Sequence, residues 1–170
     1  LSDWSSDVCS SDLNVALFAE LQGVDKASRL AAARNEIGRV GLADFADKHP
    51  HQLSGGMRMR TSLARSLVTH PEVFLFDEPF GALDEITREK LNDDLLNLFI
   101  ERRFAGLFIT HSIAEAVYMS TRVLVMSQRP GRIVASFDVP FGDDRHHDLR
   151  YESGFARLCG DVSHALRSVE

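Results

Sequence analysis

Two adjacent carboxylates, Asp77 and Glu78, close the continuous apolar run Val73-Phe74-Leu75-Phe76. A run apolar on both faces predicts a central parallel strand. Open α/β sheets bind ligands at the carboxyl ends of such strands. Burying a pair of carboxylates there is costly unless a cation or hydrogen bonds compensate. Asp77 therefore suits a Mg²⁺ site, and Glu78, one step further, suits orientation or deprotonation of a water. The plainer alternative is a capping pair at a strand end. Upstream stands Leu53-Ser54-Gly55-Gly56-Met57. Two glycines at a helix start leave backbone N–H groups open, and the helix dipole adds partial positive charge, so Ser54, Gly55 and Gly56 suit an anion. Taken alone, that segment reads as a capped helix with flexible glycines. Asp84 ends the tight turn Gly81-Ala82-Leu83-Asp84 and reads as a helix N-cap. His111 follows the apolar run Leu107-Phe108-Ile109-Thr110. A lone histidine at a strand end is a surface or packing residue; in this order and spacing it reads as a phosphate sensor.

These groups need an alternation of strands and helices to position them. An apolar-rich helix is expected over Asn14–Gln22. A second is expected from about Lys26 to Val40, capped by Asp25, with Leu30, Ala33, Ile37 and Val40 at helical spacing and Gly41 as its stop. Leu42–Asp47 reads as a short helix ended by His49-Pro50. Ser54 caps a helix over Gly55–Val68. After the Val73–Phe76 strand, Asp84–Ile100 forms an amphipathic helix with Ile86, Leu91, Leu95 and Leu98 on one stripe. Gly106–Thr110 is a strand and Ile113–Met119 a short helix. Val123–Met126 and Ile133–Phe137 are strands joined by the turn sequence Gln128-Arg129-Pro130-Gly131. Pro140–His147 is a polar loop, and Tyr151–Val169 a helix with Phe155, Leu158, Val162 and Leu166 at helical spacing. From Val73 onward the pattern is that of an α/β sheet.

Composition removes several functions. The 170 residues carry 19 Lys+Arg against 25 Asp+Glu, a net charge of −6, which argues against nucleic acid as a partner. No apolar run approaches the ~20 residues of a membrane helix. Cys9 and Cys159 match no metal spacing and read as two unpaired thiols in a reducing cytoplasm. The lysines are Lys26, Lys48 and Lys90, and none follows a glycine. A Walker A phosphate loop, which needs Gly-Lys, is therefore not in this sequence. At the start, Ser5-Ser6-Asp7 recurs as Ser10-Ser11-Asp12 with no helical or strand period. Leu1–Leu13 resembles the translated sequencing-adapter segment seen at the ends of some assembled reading frames. It is set apart from the fold as a non-native or disordered leader.

The motifs together resemble the ATP-binding subunits of ABC transporters. Leu53 to Gly56 matches the signature motif, and Val73 to Asp77 matches Walker B, followed by Glu78. Ala82-Leu83-Asp84 matches the D-loop, and His111 the switch histidine. Met57 after the two glycines, Asp77-Glu78-Pro79-Phe80-Gly81-Ala82-Leu83-Asp84 and Arg129-Pro130-Gly131-Arg132-Ile133 look most like the importers for nitrate, sulfonate or taurine. The sequence departs from the pattern at Met59, where Gln is frequent, and at Ser112, where Asp is frequent after the histidine.

The resemblance implies a P-loop NTPase (RecA-like) ABC ATPase fold, partial, lacking the N-terminal strands, the Walker A and the Gln loop. It divides the chain into the 1–13 leader, a helical subdomain over 14–50, an α/β core over 51–138 and a C-terminal loop and helix over 139–170. It implies ATP and Mg²⁺, with Asp77 at the metal and Glu78 and His111 catalytic. Ser54, Gly55 and Gly56 would contact nucleotide across a head-to-tail dimer with a second ATPase subunit, and Asp84 would also bind nucleotide. The other implied partners are a membrane permease and, indirectly, a substrate-binding protein. The place is the cytoplasm, peripheral on the inner face of the membrane through the permease. The alternatives are a non-transport ABC ATPase for DNA repair or translation, and a binding module without turnover. Without a phosphate loop the chain alone is expected neither to hold MgATP at its own site nor to turn it over. Apolar surface is expected where the missing strands would pair, and the C-terminal helix is expected to pack.

Overall fold

The computed structural model describes residues 9–142 and 145–168. Residues 1–8 of the suspected leader, residues 143–144 of the polar loop and the end of the last expected helix lie outside them. The chain divides into two compact units.

The first holds the described part of Leu1–Glu72 together with Leu83–Arg88. Helices α1 (Ser11–Leu21), α2 (Lys26–Arg39) and α3 (Gly55–Leu67) pack here, with two 3₁₀ turns, Ala43–Phe45 and Pro50–Gln52, between the last two. The helical spacing read in α2 brings Ala33 and Ile37 inward to meet Val15, Ala19, Leu42, Ala64 and Val68. Asp25 caps α2 by accepting the Ala27 and Ser28 N–H groups at 3.0 and 3.1 Å. Gly41, at φ +71°, turns the chain out of it. The segment read as a helix over Leu42–Asp47 makes one 3₁₀ turn only. Helix α3, grouped in sequence with the strands, contributes Ala64 and Val68 to the end of this helical core.

Residues 9–13 do not stay outside the fold. Ser11 and Asp12 open α1 and are buried. The Ser11 N–H donates to the Lys48 carbonyl at 2.8 Å, and the Arg34 guanidinium grips Asp12 Oδ2 at 2.9 Å. Burial pushes the Asp12 carboxyl up, but the Ser10 hydroxyl, Arg34 and the Leu13 N–H outweigh it and hold it below the usual range.

The second unit holds Val73–Ala82 and the described part of Glu89–Glu170. Strand β1 (Val73–Asp77) pairs in parallel with β2 (Ala105–Ile109), in register from Val73 opposite Ala105 to Asp77 opposite Ile109. The connection runs through α4 (Glu85–Arg102), as a parallel pair requires. Helix α5 (Ile113–Met119) follows β2. Strands β3 (Arg122–Met126) and β4 (Ile133–Asp138) form the expected antiparallel hairpin. A 3₁₀ turn, His147–Tyr151, leads to α6 (Ser153–Arg167). The core gathers Leu96, Val117, Tyr118, Val123, Val125, Leu149, Phe155 and Val162, so α6 packs as expected. Arg150 lies 3.4 Å from the Tyr118 ring centroid and reaches Asp93 at 3.0 Å. Burial, with the Asp93 carboxylate adding to it, pushes the Tyr118 phenol up to about 12.

Two expectations change. Among the described residues the strands form two separate two-stranded sheets, β1–β2 and β3–β4, not one. Strand β1 is buried on one face only. Phe74 and Phe76 point inward toward Phe104 and Phe108. On the other face Val73, Leu75, Leu107 and Ile109 are 61, 69, 53 and 52% exposed. The strand period of two puts all four side chains on one side, and no described residue covers them. Ile86, assigned to the buried stripe of α4, is 83% exposed, whereas Leu91, Leu95 and Leu98 are buried. Helix α4 starts outside the second unit, so its apolar stripe is used only from its second turn onward. An uncovered apolar face of this kind binds hydrophobic dyes and promotes association. The double substitution Leu75→Thr, Leu107→Thr is expected to lower dye fluorescence and light-scattering mass while leaving the denaturation midpoint nearly unchanged. Unchanged dye binding would show that the face is covered.

Candidate functional site

The candidate residues fall into two groups, one in each unit. In the second unit, β1 delivers Asp77 to its carboxyl end, exposed and opposite Ile109. The ladder then runs one bond further, with the Glu78 N–H donating to the Ile109 carbonyl at 2.9 Å. Glu78 itself sits at φ +43°, in the left-handed region. For a side chain other than glycine that conformation costs roughly 1–2 kcal/mol. The turn that follows holds it there. The Gly81 N–H donates to the Glu78 carbonyl at 3.2 Å, and Phe80 is buried. A Cβ on Gly81 would stand 3.5 Å from Glu78 Oε2, so the carboxylate folds closely over this glycine. The left-handed turn brings Glu78 Oε2 to 3.3 Å from His111 Nδ1. Both side chains are more than half exposed, at 52% and 64%, and open to an incoming water or phosphate.

Strand β2 supplies the histidine. Its end passes through Thr110 to His111, and Ser112 then caps α5 by accepting the Glu115 N–H at 3.4 Å. Ser112 thus has a definite structural task where the family often carries Asp. Sequence reading passed over Thr110 and Glu115. Thr110 Oγ1 donates to Glu115 Oε2 at 2.6 Å and accepts the Ser112 N–H at 3.0 Å. The signal was available in Ser112-Ile113-Ala114-Glu115, which has the S-x-x-E spacing of a capping box.

In the first unit Ser54 is the N-cap of α3, and its Oγ accepts the Met57 N–H at 3.3 Å. That bond uses an oxygen lone pair and leaves the hydroxyl proton available for donation. Ser54 and Gly55 are exposed, whereas Gly56 is buried. Arg58 fixes the approach by donating to the Leu53 carbonyl at 3.0 Å. Leu83 packs over Gly55, where a Cβ would come within 3.4 Å of Leu83 Cδ2. The D-loop sequence therefore lies against the start of α3. Next to it Asp84 caps α4, accepting the Thr87 N–H at 3.0 Å, and Arg88 donates to the Leu83 carbonyl at 2.9 Å. The Thr87 backbone and hydroxyl hold the Asp84 carboxyl below the usual carboxylate range.

No cluster of three or more His, Cys, Asp or Glu side chains suited to a metal occurs among the described residues. An exposed strand-end carboxylate such as Asp77 is compatible with Mg²⁺, which is commonly held by one or two carboxylates plus substrate phosphates and water.

The chain is similar to known proteins. The family described as ABC transporter matches residues 5–81. The taurine import ATP-binding protein TauB of Rhizobium johnstonii is 44% identical over 164 residues, covering 92% of this chain and 62% of that protein. The nitrate import ATP-binding protein NrtD of Synechocystis is 37% identical over 163 residues, covering 92% and 61%. Over residues 5–81 the chain resembles part of an ABC transporter family domain. It spans about three fifths of the length of these relatives. A solved ABC transporter in an inward-facing conformation shares the fold at a TM-score of 0.63 and 22% identity, covering 68% of this chain and 48% of that one. The P-loop NTPase fold class expected from the motifs agrees with this likeness of fold. No helix among the described residues is long and apolar enough to cross a membrane.

The Asp84 cap makes a pH prediction. A carboxyl whose folded pKa is lowered contributes stability that is complete above its unfolded pKa, about 4, and is lost as pH falls through the folded value. Urea unfolding at pH 7 and pH 3 is expected to show a smaller loss of stability on acidification in Asp84→Asn than in the unaltered chain. Equal losses would remove Asp84 from the account.

Proposed function

We propose that this chain is the motor portion of an ABC importer, which hydrolyses ATP to drive uptake of a small solute such as nitrate, a sulfonate or taurine. The observation that carries the reading is the Glu78–His111 pair, 3.3 Å apart at the end of the Walker B strand and open to solvent. The taurine and nitrate import relatives support the solute class. A DNA-repair or translation ATPase is disfavoured by the compact spacing from Ser54 to Asp77 and by those same relatives.

Each residue then has a task set by its position. Glu78 accepts a proton from the attacking water and orients it, a role worth about 10²–10⁴ in rate. His111 presents one ring nitrogen as donor to the γ-phosphate, with Nδ1 beside the Glu78 carboxylate. Asp77 would hold Mg²⁺, which neutralises charge on the phosphate oxygens. Ser54 donates its remaining hydroxyl proton, and the first N–H groups of α3 lack intrahelical acceptors, so this helix start receives the γ-phosphate of a nucleotide held by a second ATPase subunit. Asp84 and Leu83 meet the same second subunit. Beyond that proton transfer, such catalysis is almost entirely positioning and charge stabilisation. The Gly-Lys pair that completes a phosphate site is not in these 170 residues. The working assembly joins this portion to a phosphate loop, a second ATPase subunit and a membrane permease fed by a substrate-binding protein, on the cytoplasmic face of the membrane.

Disrupting the coding locus tests the reading. Growth on nitrate, taurine or an alkanesulfonate as sole nitrogen or sulfur source is expected to fail for at least one of them. The unaltered gene is expected to restore uptake, and Glu78→Gln to leave it at least about 100-fold lower. Normal growth on all three would overturn the solute class. Full restoration by Glu78→Gln would overturn the role of Glu78.

A further inference from the structure

We propose that Thr110 and Glu115 are positioning residues that hold His111 against Glu78. The inference rests on the reading of Glu78 and His111 as a working pair. In an ordinary capping box the cap residue accepts the N–H of the third helical residue, whose own side chain turns back to the cap residue's N–H. Ser112 and Glu115 make the first half of that box, at 3.4 Å. The second half is interrupted. The Ser112 N–H donates to Thr110 Oγ1 at 3.0 Å, and the Thr110 hydroxyl donates to Glu115 Oε2 at 2.6 Å. A hydroxyl from the end of β2 has been inserted into the cap of α5.

The inserted hydroxyl changes what the cap fixes. An ordinary box would orient the helix start alone. This one spans His111, because its members stand on both sides of that residue. Thr110 is bound to the helix through Glu115, and Ser112 is bound back to Thr110. The backbone that carries the imidazole is clamped before and after it, while the ring stays outside the network, with Nδ1 at 3.3 Å from Glu78 Oε2. Glu115 is 6% exposed, so its side chain cannot exchange the Thr110 donor freely for bulk water. A short bond to a carboxylate is about twice as strong as a neutral one. Removing the hydroxyl deprives a buried carboxylate of a donor and releases the Ser112 N–H at once.

The test reads the His111 ring by NMR in the full 170-residue chain, with no nucleotide present. Failure of the ATPase reading therefore leaves it interpretable. Glu78→Gln is expected to shift the His111 ring resonances in the unaltered chain. In a Thr110→Val background, which keeps the side-chain shape and loses the hydroxyl, that shift is expected to be lost. Glu115→Ala is expected to lose it as well, and Thr110→Ser to keep it. A Glu78→Gln shift of full size in both the Thr110→Val and Glu115→Ala backgrounds would overturn the proposal. So would unfolding of both variants, since the network would then hold up the fold and not the histidine. If one variant unfolds, the other gives the reading.

Discussion

The register of β1 on β2 governs the chemistry of the second unit. Two strands in parallel, paired from Val73 opposite Ala105, must finish together at Asp77 and Ile109. One further ladder bond, from the Glu78 N–H to the Ile109 carbonyl, commits Glu78 to the edge of β2. His111 leaves that same edge two residues later. The two side chains thus meet without any interaction designed between them. A slip of one residue would flip the apolar alternation and turn Phe74 and Phe76 out of the core. Burial of these two phenylalanines is therefore what secures the meeting of a carboxylate and an imidazole. The left-handed backbone at Glu78 is the local cost of the sharp turn, retained because the Ile109 bond and the Gly81 turn bond over-determine it.

In the first unit the same economy appears in the capping groups. Ser54 terminates α3 by accepting one N–H and still has a proton to give. Asp84 terminates α4 with a carboxylate held ionised by Thr87. Each is a structural cap, and each has a charge or donor aimed outward. The structural and functional readings of these residues are not rivals, because a cap consumes only part of a side chain's hydrogen-bonding capacity. Leu83 over Gly55 brings the two capped starts into one surface.

Much of this was legible in the residues. Alternation and helical spacing located the strands and helices to within a few positions, and Asp25, Ser54 and Asp84 cap where their types and places said they would. The carboxylate pair at the end of an apolar strand and the histidine at the end of the next were readable as a site because strand ends in α/β sheets converge. Other features were not readable. Continuous hydrophobicity in Val73–Phe76 implied two covered faces, yet a sequence run cannot say which neighbours are present to cover them. Ile86 fits the stripe of α4, but a helix shared between two units changes its surroundings along its length. Ser11 and Asp12 looked foreign by composition, and composition is blind to the Lys48 carbonyl and the Arg34 guanidinium that receive them. The left-handed Glu78 leaves no mark on residue type, since glutamate has no preference for that region.

The most direct measurement is the scalar coupling across the hydrogen bond between the Glu78 nitrogen and the Ile109 carbonyl carbon, in a doubly labelled sample of the chain. The β1–β2 register described above predicts a resolved coupling between these two nuclei, because it is their bond that sets Glu78 beside His111. A coupling from Glu78 to a different carbonyl of β2, or none while the rest of the β1–β2 ladder is seen, would contradict it.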